Sequence, residues 1–194
     1  GHSEEAVMFN TRMGWGWPAR LIHWASAGLI LFLLGLGVYM TNFVDDVYAQ
    51  FGLFQTHKSW GFVAFVLGVL RIGWRLANPS PALPEGMPAI ERLAAKAGHL
   101  ALYLLVIAMP LTGWLTASAS PLQDSYGIKN MVFGWFEMPD PIVPGTQALE
   151  DLFSTMHYVC GIALTALILG HVAVALRHQF VKRDGLLRRM VLGR

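Results

Sequence analysis

The chain has 194 residues, of which 55% are hydrophobic and only 13% charged, whereas a water-soluble domain carries about 25% charged residues. So few charges cannot cover a globular surface in water, and a formal net charge of +2 with no dense basic stripe excludes a nucleic-acid binder. The single cysteine, Cys160, excludes a disulfide framework, a CxxCH haem attachment and a cysteine-built zinc site.

The elements follow in chain order. Residues 1–17 form an N-terminal segment in which His2 is assigned no role. Pro18 suits the first turn of helix one. Residues 21–40 contain no Asp, Glu, Lys or Arg, and about 20 such residues span the hydrocarbon as a helix. The run begins late and reaches full spanning length, so it reads as a span rather than a cleaved leader. Gly28, Gly35 and Gly37 are expected to form a close-packing face on it. The second run, 57–76, has Lys58, Arg71 and Arg75 near its ends and a wholly apolar centre at 60–70; long basic side chains near helix ends reach the interface. Asn78-Pro79-Ser80-Pro81 and Pro84 stop it. Pro88 leads towards the third run, 98–118, which is free of charge and is expected to kink at Pro110. Residues 119–156 are the longest non-spanning stretch, and 147–156 are expected to extend helix four outward. The fourth run, 155–176, is again uncharged.

These runs predict an all-α membrane protein, a bundle of four transmembrane helices within residues 18–187, followed by a basic tail at 188–194. Twelve of the fourteen basic residues fall in the N-terminal segment, the stretch joining helices two and three, and the C-terminal part. Only Lys58 and Lys129 lie on the other side, with Asp45, Asp46, Asp124, Glu137, Asp140, Glu150 and Asp151. The positive-inside rule therefore places both termini in the cytoplasm. Most tryptophans fall near expected interfaces, as an aromatic belt does. Cys160 reads as a packing residue.

The chemistry must come from histidines, because ionisable groups inside a membrane are costly and mark function. His157 and His171 are 14 residues apart in helix four, about 21 Å along its axis and within about 40° of one direction. Helix one starts in the cytoplasm, so His23 shares the depth of His171; helix two starts outside, so His57 shares the depth of His157. Two facing histidines per layer suit bis-imidazole ligation of two b-type haems between the helices. Zinc would want further ligands, and the spans offer no carboxylate for them. Irons spaced in this way make an electron path through most of the bilayer.

The chain also resembles the prokaryotic cytochrome b561 family, including its superoxide oxidase members. The resemblance rests on Leu-Ile-His23-Trp, His57-Lys58-Ser59-Trp-Gly, Arg71-x-x-x-Arg75, Gly98-His99-Leu with Met109-Pro110, the histidine pair of helix four, and Phe133-Gly134 with Met138-Pro139. It implies a multi-pass protein of the bacterial inner membrane that ligates haem iron by His23 with His171 and by His57 with His157. The activity it implies is oxidation of superoxide at the periplasmic face and reduction of ubiquinone. The cytochrome b subunits of hydrogenases and formate dehydrogenases share this outline, so an electron carrier between a redox protein partner and quinone is an alternative, and a haem-binding protein without turnover is another. Arg71 and Arg75 are candidates to hold haem propionates. Lys58 is a candidate to attract superoxide, and His99 and His178 are candidates for a quinone site.

Overall fold

The computed structural model describes residues 8–193; His2 and Arg194 lie outside them. Among the described residues, four helices are long and apolar enough to cross a membrane. They are α1 (Trp17–Asn42), α2 (Val47–Ala77), α3 (Ala89–Ala119) and α5 (Gln147–Arg177). The last continues into a π-helical turn, His178–Lys182. Between α3 and α5 lie α4 (Pro121–Tyr126) and a two-stranded hairpin, β1 (Met131–Val132) with β2 (Phe136–Glu137). A short α6 (Leu186–Val191) follows the π turn and runs across the boundary expected at 187.

The ends obey local chemistry. Pro18 lies in the first turn of α1, where its missing N–H costs nothing. Asp46 caps α2 by accepting the Ala49 N–H at 2.7 Å, and Thr146 accepts the Leu149 N–H at 3.3 Å at the start of α5. At the other end of α2, Pro79 disfavours a helical Asn78, and the Asn78 amide donates to Trp74 O at 3.2 Å. Pro110 lies inside α3 as expected. Gln147 opens α5, the outward extension anticipated from the sequence.

The side chains are distributed as in lipid. Ser26 is 1% exposed and Ser118 2%, while Tyr158 is 69% exposed and Leu169 66%. Small polar residues pack between helices, and large apolar ones face a solvent as apolar as themselves. Helix hydroxyls bond back to the preceding turn, as Thr116 does to Thr112 O and Thr165 to Gly161 O, both at 2.8 Å. No hydroxyl so bonded is left unpaired in hydrocarbon.

The chain divides into two compact units, and each takes a stretch from every long helix. One is formed by Gly1–Ala27, Leu67–Tyr103 and Ala166–Arg194, the other by Gly28–Val66 and Leu104–Thr165. We call them the His23 unit and the His57 unit. In the His23 unit, Phe9 stacks on Trp74 with centroids 6.2 Å apart. The buried Asn10 donates to Pro79 O at 3.1 Å and accepts the Gly16 N–H at 3.0 Å, which ties the described part of the N-terminal segment to the end of α2. In the His57 unit, Trp114 donates to Pro139 O at 2.9 Å and Ser118 Oγ accepts the Ile142 N–H at 3.0 Å, which anchors the loop after the hairpin on α3.

Candidate functional site

Each unit gathers its own imidazoles. In the His57 unit, His57 on α2 and His157 on α5 face one another with centroids 6.1 Å apart and planes at 86°. The His157 Nδ1–H donates to Met109 O at 2.9 Å and lies 3.1 Å from Thr112 Oγ1. That bond fixes the tautomer and leaves Nε2 free as a donor atom to a metal. Among the described residues, the buried His57 Nδ1 has no hydrogen-bond partner.

Two glycines stand against this pair. A Cβ on Gly37 would lie 3.6 Å from His57 Cε1, and one on Gly113 would lie 3.1 Å from His157 Cε1. The close-packing face expected on α1 is therefore not a helix contact. Among the described residues, Gly28 and Gly35 have no neighbour within 4 Å of a Cβ position, and Gly37 meets an imidazole.

The His23 unit brings three imidazoles together. His23 and His171 have centroids 6.4 Å apart, and His99 and His171 5.6 Å. Trp24 stands edge-on to His23 at 5.0 Å, and its indole N–H donates to Met190 O of α6 at 3.1 Å. Arg71 Nη2 donates to His23 Nδ1 at 2.8 Å, and its guanidinium lies 5.5 Å from the Tyr103 ring centre. Arg75, one turn further along α2, is exposed. His178 is apart from this cluster in its bonding: it is 4% exposed, and its Nδ1 pairs with Asp184 Oδ2 at 2.5 Å. The structure thus brings His99, but not His178, to the imidazole cluster.

The spacings decide what such pairs can hold. An imidazole nitrogen sits about 2.0–2.1 Å from a first-row metal and roughly 1.1 Å from its ring centre, so two imidazoles in line on one metal hold their centroids about 6.3 Å apart. The separations of 6.1 and 6.4 Å match that figure; the 5.6 Å between His99 and His171 is too short for it. Paired neutral imidazoles, one with its tautomer set by a backbone carbonyl, form a donor set that suits haem iron.

Lys58 lies next to His57. Its Nζ donates to Asn130 Oδ1 at 3.0 Å, and the Asn130 amide donates to Asp140 Oδ1 at 2.6 Å. The ammonium is thus held by a neutral amide, with the carboxylate one residue further off. Asn130, Thr112 and Asp184 went unread in the sequence. Asn130 and Thr112 act by contact with an element distant along the chain, so no local pattern marks them, and Asp184 meets His178 across the π turn, which the sequence did not predict.

The family model for prokaryotic cytochrome b561 matches residues 14–193. The chain belongs to the prokaryotic cytochrome b561 family. Among relatives, cytochrome b561 homolog 2 of Escherichia coli (strain K12) is 35% identical over 94% of this chain and 93% of its own length. The probable superoxide oxidase CybB of Yersinia pestis is 29% identical, covering 88% of this chain and 91% of the relative. Cytochrome b561 homolog 1 of Escherichia coli (strain K12) is 26% identical over 71% and 73%. This cytochrome is therefore a multi-pass electron-transfer protein of the bacterial inner membrane, and b-type haem is its family's cofactor.

Proposed function

We propose that this cytochrome is a superoxide:ubiquinone oxidoreductase with two b-type haems, one held by His57 and His157 and the other by His23 and His171. The observation that carries the haem assignment is one imidazole pair in each unit at a separation that would let both rings share one metal, 6.1 and 6.4 Å. The likeness to a relative named a probable superoxide oxidase supports the substrate.

When bound, b-type haem supplies one-electron exchange, with its potential tuned by the protein. Two superoxide anions give up one electron each and leave as dioxygen; ubiquinone takes both electrons and two protons to become ubiquinol. Lys58 serves the first half-reaction. It adjoins His57, on the side that the distribution of basic residues makes periplasmic, and its charge rests on a neutral amide. A cation so placed draws in a small anion.

Arg71 would change partner if His23 held a metal. A ring that gives Nε2 to iron carries its proton on Nδ1, so the guanidinium that donates to Nδ1 here must turn to another acceptor. A haem propionate is such an acceptor, and Arg75 one turn away can share it. His99, in the same cluster, is the polar group we assign to the ubiquinone site, with His178, bonded to Asp184, as a second candidate in that unit.

The test is a purified, haem-loaded preparation given an enzymatic superoxide source and ubiquinone under limiting oxygen. Ubiquinol formation that superoxide dismutase abolishes is the expected result. Haems that stay oxidised under the superoxide flux, while a dehydrogenase partner reduces them, would assign the chain to electron carriage between protein and quinone. Haems that no donor reduces would leave haem binding without turnover.

A further inference from the structure

Lys58 is half-buried, and an ammonium drawn out of water is ordinarily met by a carboxylate. The stretch between α3 and α5 has three carboxylates, Asp124, Glu137 and Asp140, and each is engaged elsewhere. Asp124 Oδ2 accepts the Gly145 N–H at 3.1 Å, Glu137 pairs with Lys129 at 3.1 Å, and Asp140 takes the Asn130 amide at 2.6 Å. Lys58 Nζ goes instead to Asn130 Oδ1 at 3.0 Å.

Asn130 is fixed in that position. It is 4% exposed, and its carbonyl accepts the Met138 N–H at 2.8 Å across the base of the hairpin. Its side chain faces one charge with each end: the oxygen accepts from the cation and the nitrogen donates to the anion. The reversed amide would satisfy neither neighbour. Asp140 is held in turn. It lies between Pro139 and Pro141, and Trp114 Nε1 donates to Pro139 O at 2.9 Å, so the backbone beneath its carboxylate is tied to α3.

An aspartate in place of Asn130 would have nearly the same shape and would pair with Lys58 directly. Its charge would cancel that of the ammonium for an ion approaching from water. The amide occupies one N–H of the ammonium and adds no charge; among the described residues the other two N–H groups have no partner.

We propose that Asn130 is a positioning residue that sets specificity for an anionic electron donor: it stands between Lys58 and Asp140, so that the ammonium beside His57 keeps its charge for a small anion. This rests on the reading of Lys58 as the group that draws in superoxide.

The test uses the haem-loaded protein in small liposomes, with the Lys58 side outward and radicals made by pulse radiolysis. The carbon dioxide radical anion gives up one electron and leaves as carbon dioxide. The 2-hydroxypropan-2-yl radical, neutral and also small, gives up one electron and leaves as acetone and a proton. Both are strong reductants, so a change in haem potential has little effect on either rate, whereas the approach of the anion responds to charge. At low ionic strength Asn130→Asp should slow reduction by the anion roughly threefold, the effect of one unit charge a few ångströms away in water. The rate with the neutral radical should stay as it was. Asn130→Asp combined with Asp140→Asn should also slow the anion, although the net charge is unchanged, because the carboxylate has moved onto Lys58. Added salt should erase both differences. A combined variant that retains haem and accepts electrons from the anion at the unaltered rate overturns the proposal, and so does an equal fall in the rates of both radicals. If both variants lose haem, the unaltered chain decides. Its rate with the anion should fall as salt rises, and a flat or rising rate would mean that the carboxylates already cancel Lys58, which overturns the proposal. Superoxide, made by the same pulse in oxygenated formate, is the separate arm. Charge discrimination between the two radicals without reduction by superoxide would support the role of Asn130 and remove superoxide as the donor.

Discussion

A single methyl group tests the His57 pair at the residue scale. Gly113→Ala improves helix propensity by about 1 kcal/mol, yet places a Cβ 3.1 Å from His157 Cε1 and 3.3 Å from its Nδ1. The imidazole must shift by a few tenths of an ångström, so one haem should bind more weakly although the helix is strengthened. Gly28→Ala, with nothing within 4 Å, serves as the control: haem-loss rates during dilution should rise for Gly113→Ala alone. Arg71→Gln should lower the potential of one haem by roughly tens of millivolts, because a nearby positive charge favours the reduced form. A redox titration in which both haems shift equally, or neither does, would detach Arg71 from the His23 pair. Lys58→Gln should slow superoxide-driven haem reduction and flatten its dependence on salt, with both haems retained. An unchanged rate and salt slope would reduce Lys58 to its bond with Asn130. Side chains inside apolar runs could be read from the sequence because a lone histidine stands out there. Their partners could not: Met109 O and Thr112 meet His157 across 48 and 45 residues, and a carbonyl has no signature in a sequence.

The elements that the sequence predicts best are those set by lipid. Three spans follow from runs of about 20 uncharged residues and the fourth, α2, from an apolar centre flanked by basic residues, and Pro18, Pro79 and Gln147 stand at or near the ends they were expected to mark. The short elements escaped notice. The hairpin has only two residues in each strand, too few for alternation to register, and α6 lies in a basic stretch without an apolar run. Yet α6 has specific contacts. Met190 O takes the indole N–H of Trp24 at 3.1 Å, Val191 O takes Arg20 Nη1 at 2.8 Å, and Arg189 Nη1 donates to Ala82 O at 2.7 Å. Through Trp24 this helix supports the ring of His23. Truncation after Gly185 should therefore disturb the haem of the His23 pair alone. Each lost bond is worth about 0.5–1.5 kcal/mol, so the melting temperature by circular dichroism should fall by several degrees. In electron paramagnetic resonance one low-spin signal should shift while the other stays, and two unmoved signals would separate α6 from the ligand.

For the whole molecule, composition already fixed the solvent: a chain with 13% charged residues exposes many of its leucines and buries Ser26, Ser59 and Ser118. The central claim is that each compact unit contains one axial pair, and that His99, although close to His171, is not a ligand. The most direct measurement is the pyridine haemochrome ratio of haem to protein across five single variants: His23→Ala, His57→Ala, His157→Ala, His171→Ala and His99→Ala. The ratio should fall from two towards one in the first four. His57→Ala and His157→Ala should remove the same spectral component, His23→Ala and His171→Ala the other, and His99→Ala should keep both. A ratio of two in any of the first four, or the loss of a haem in His99→Ala, would contradict the assignment.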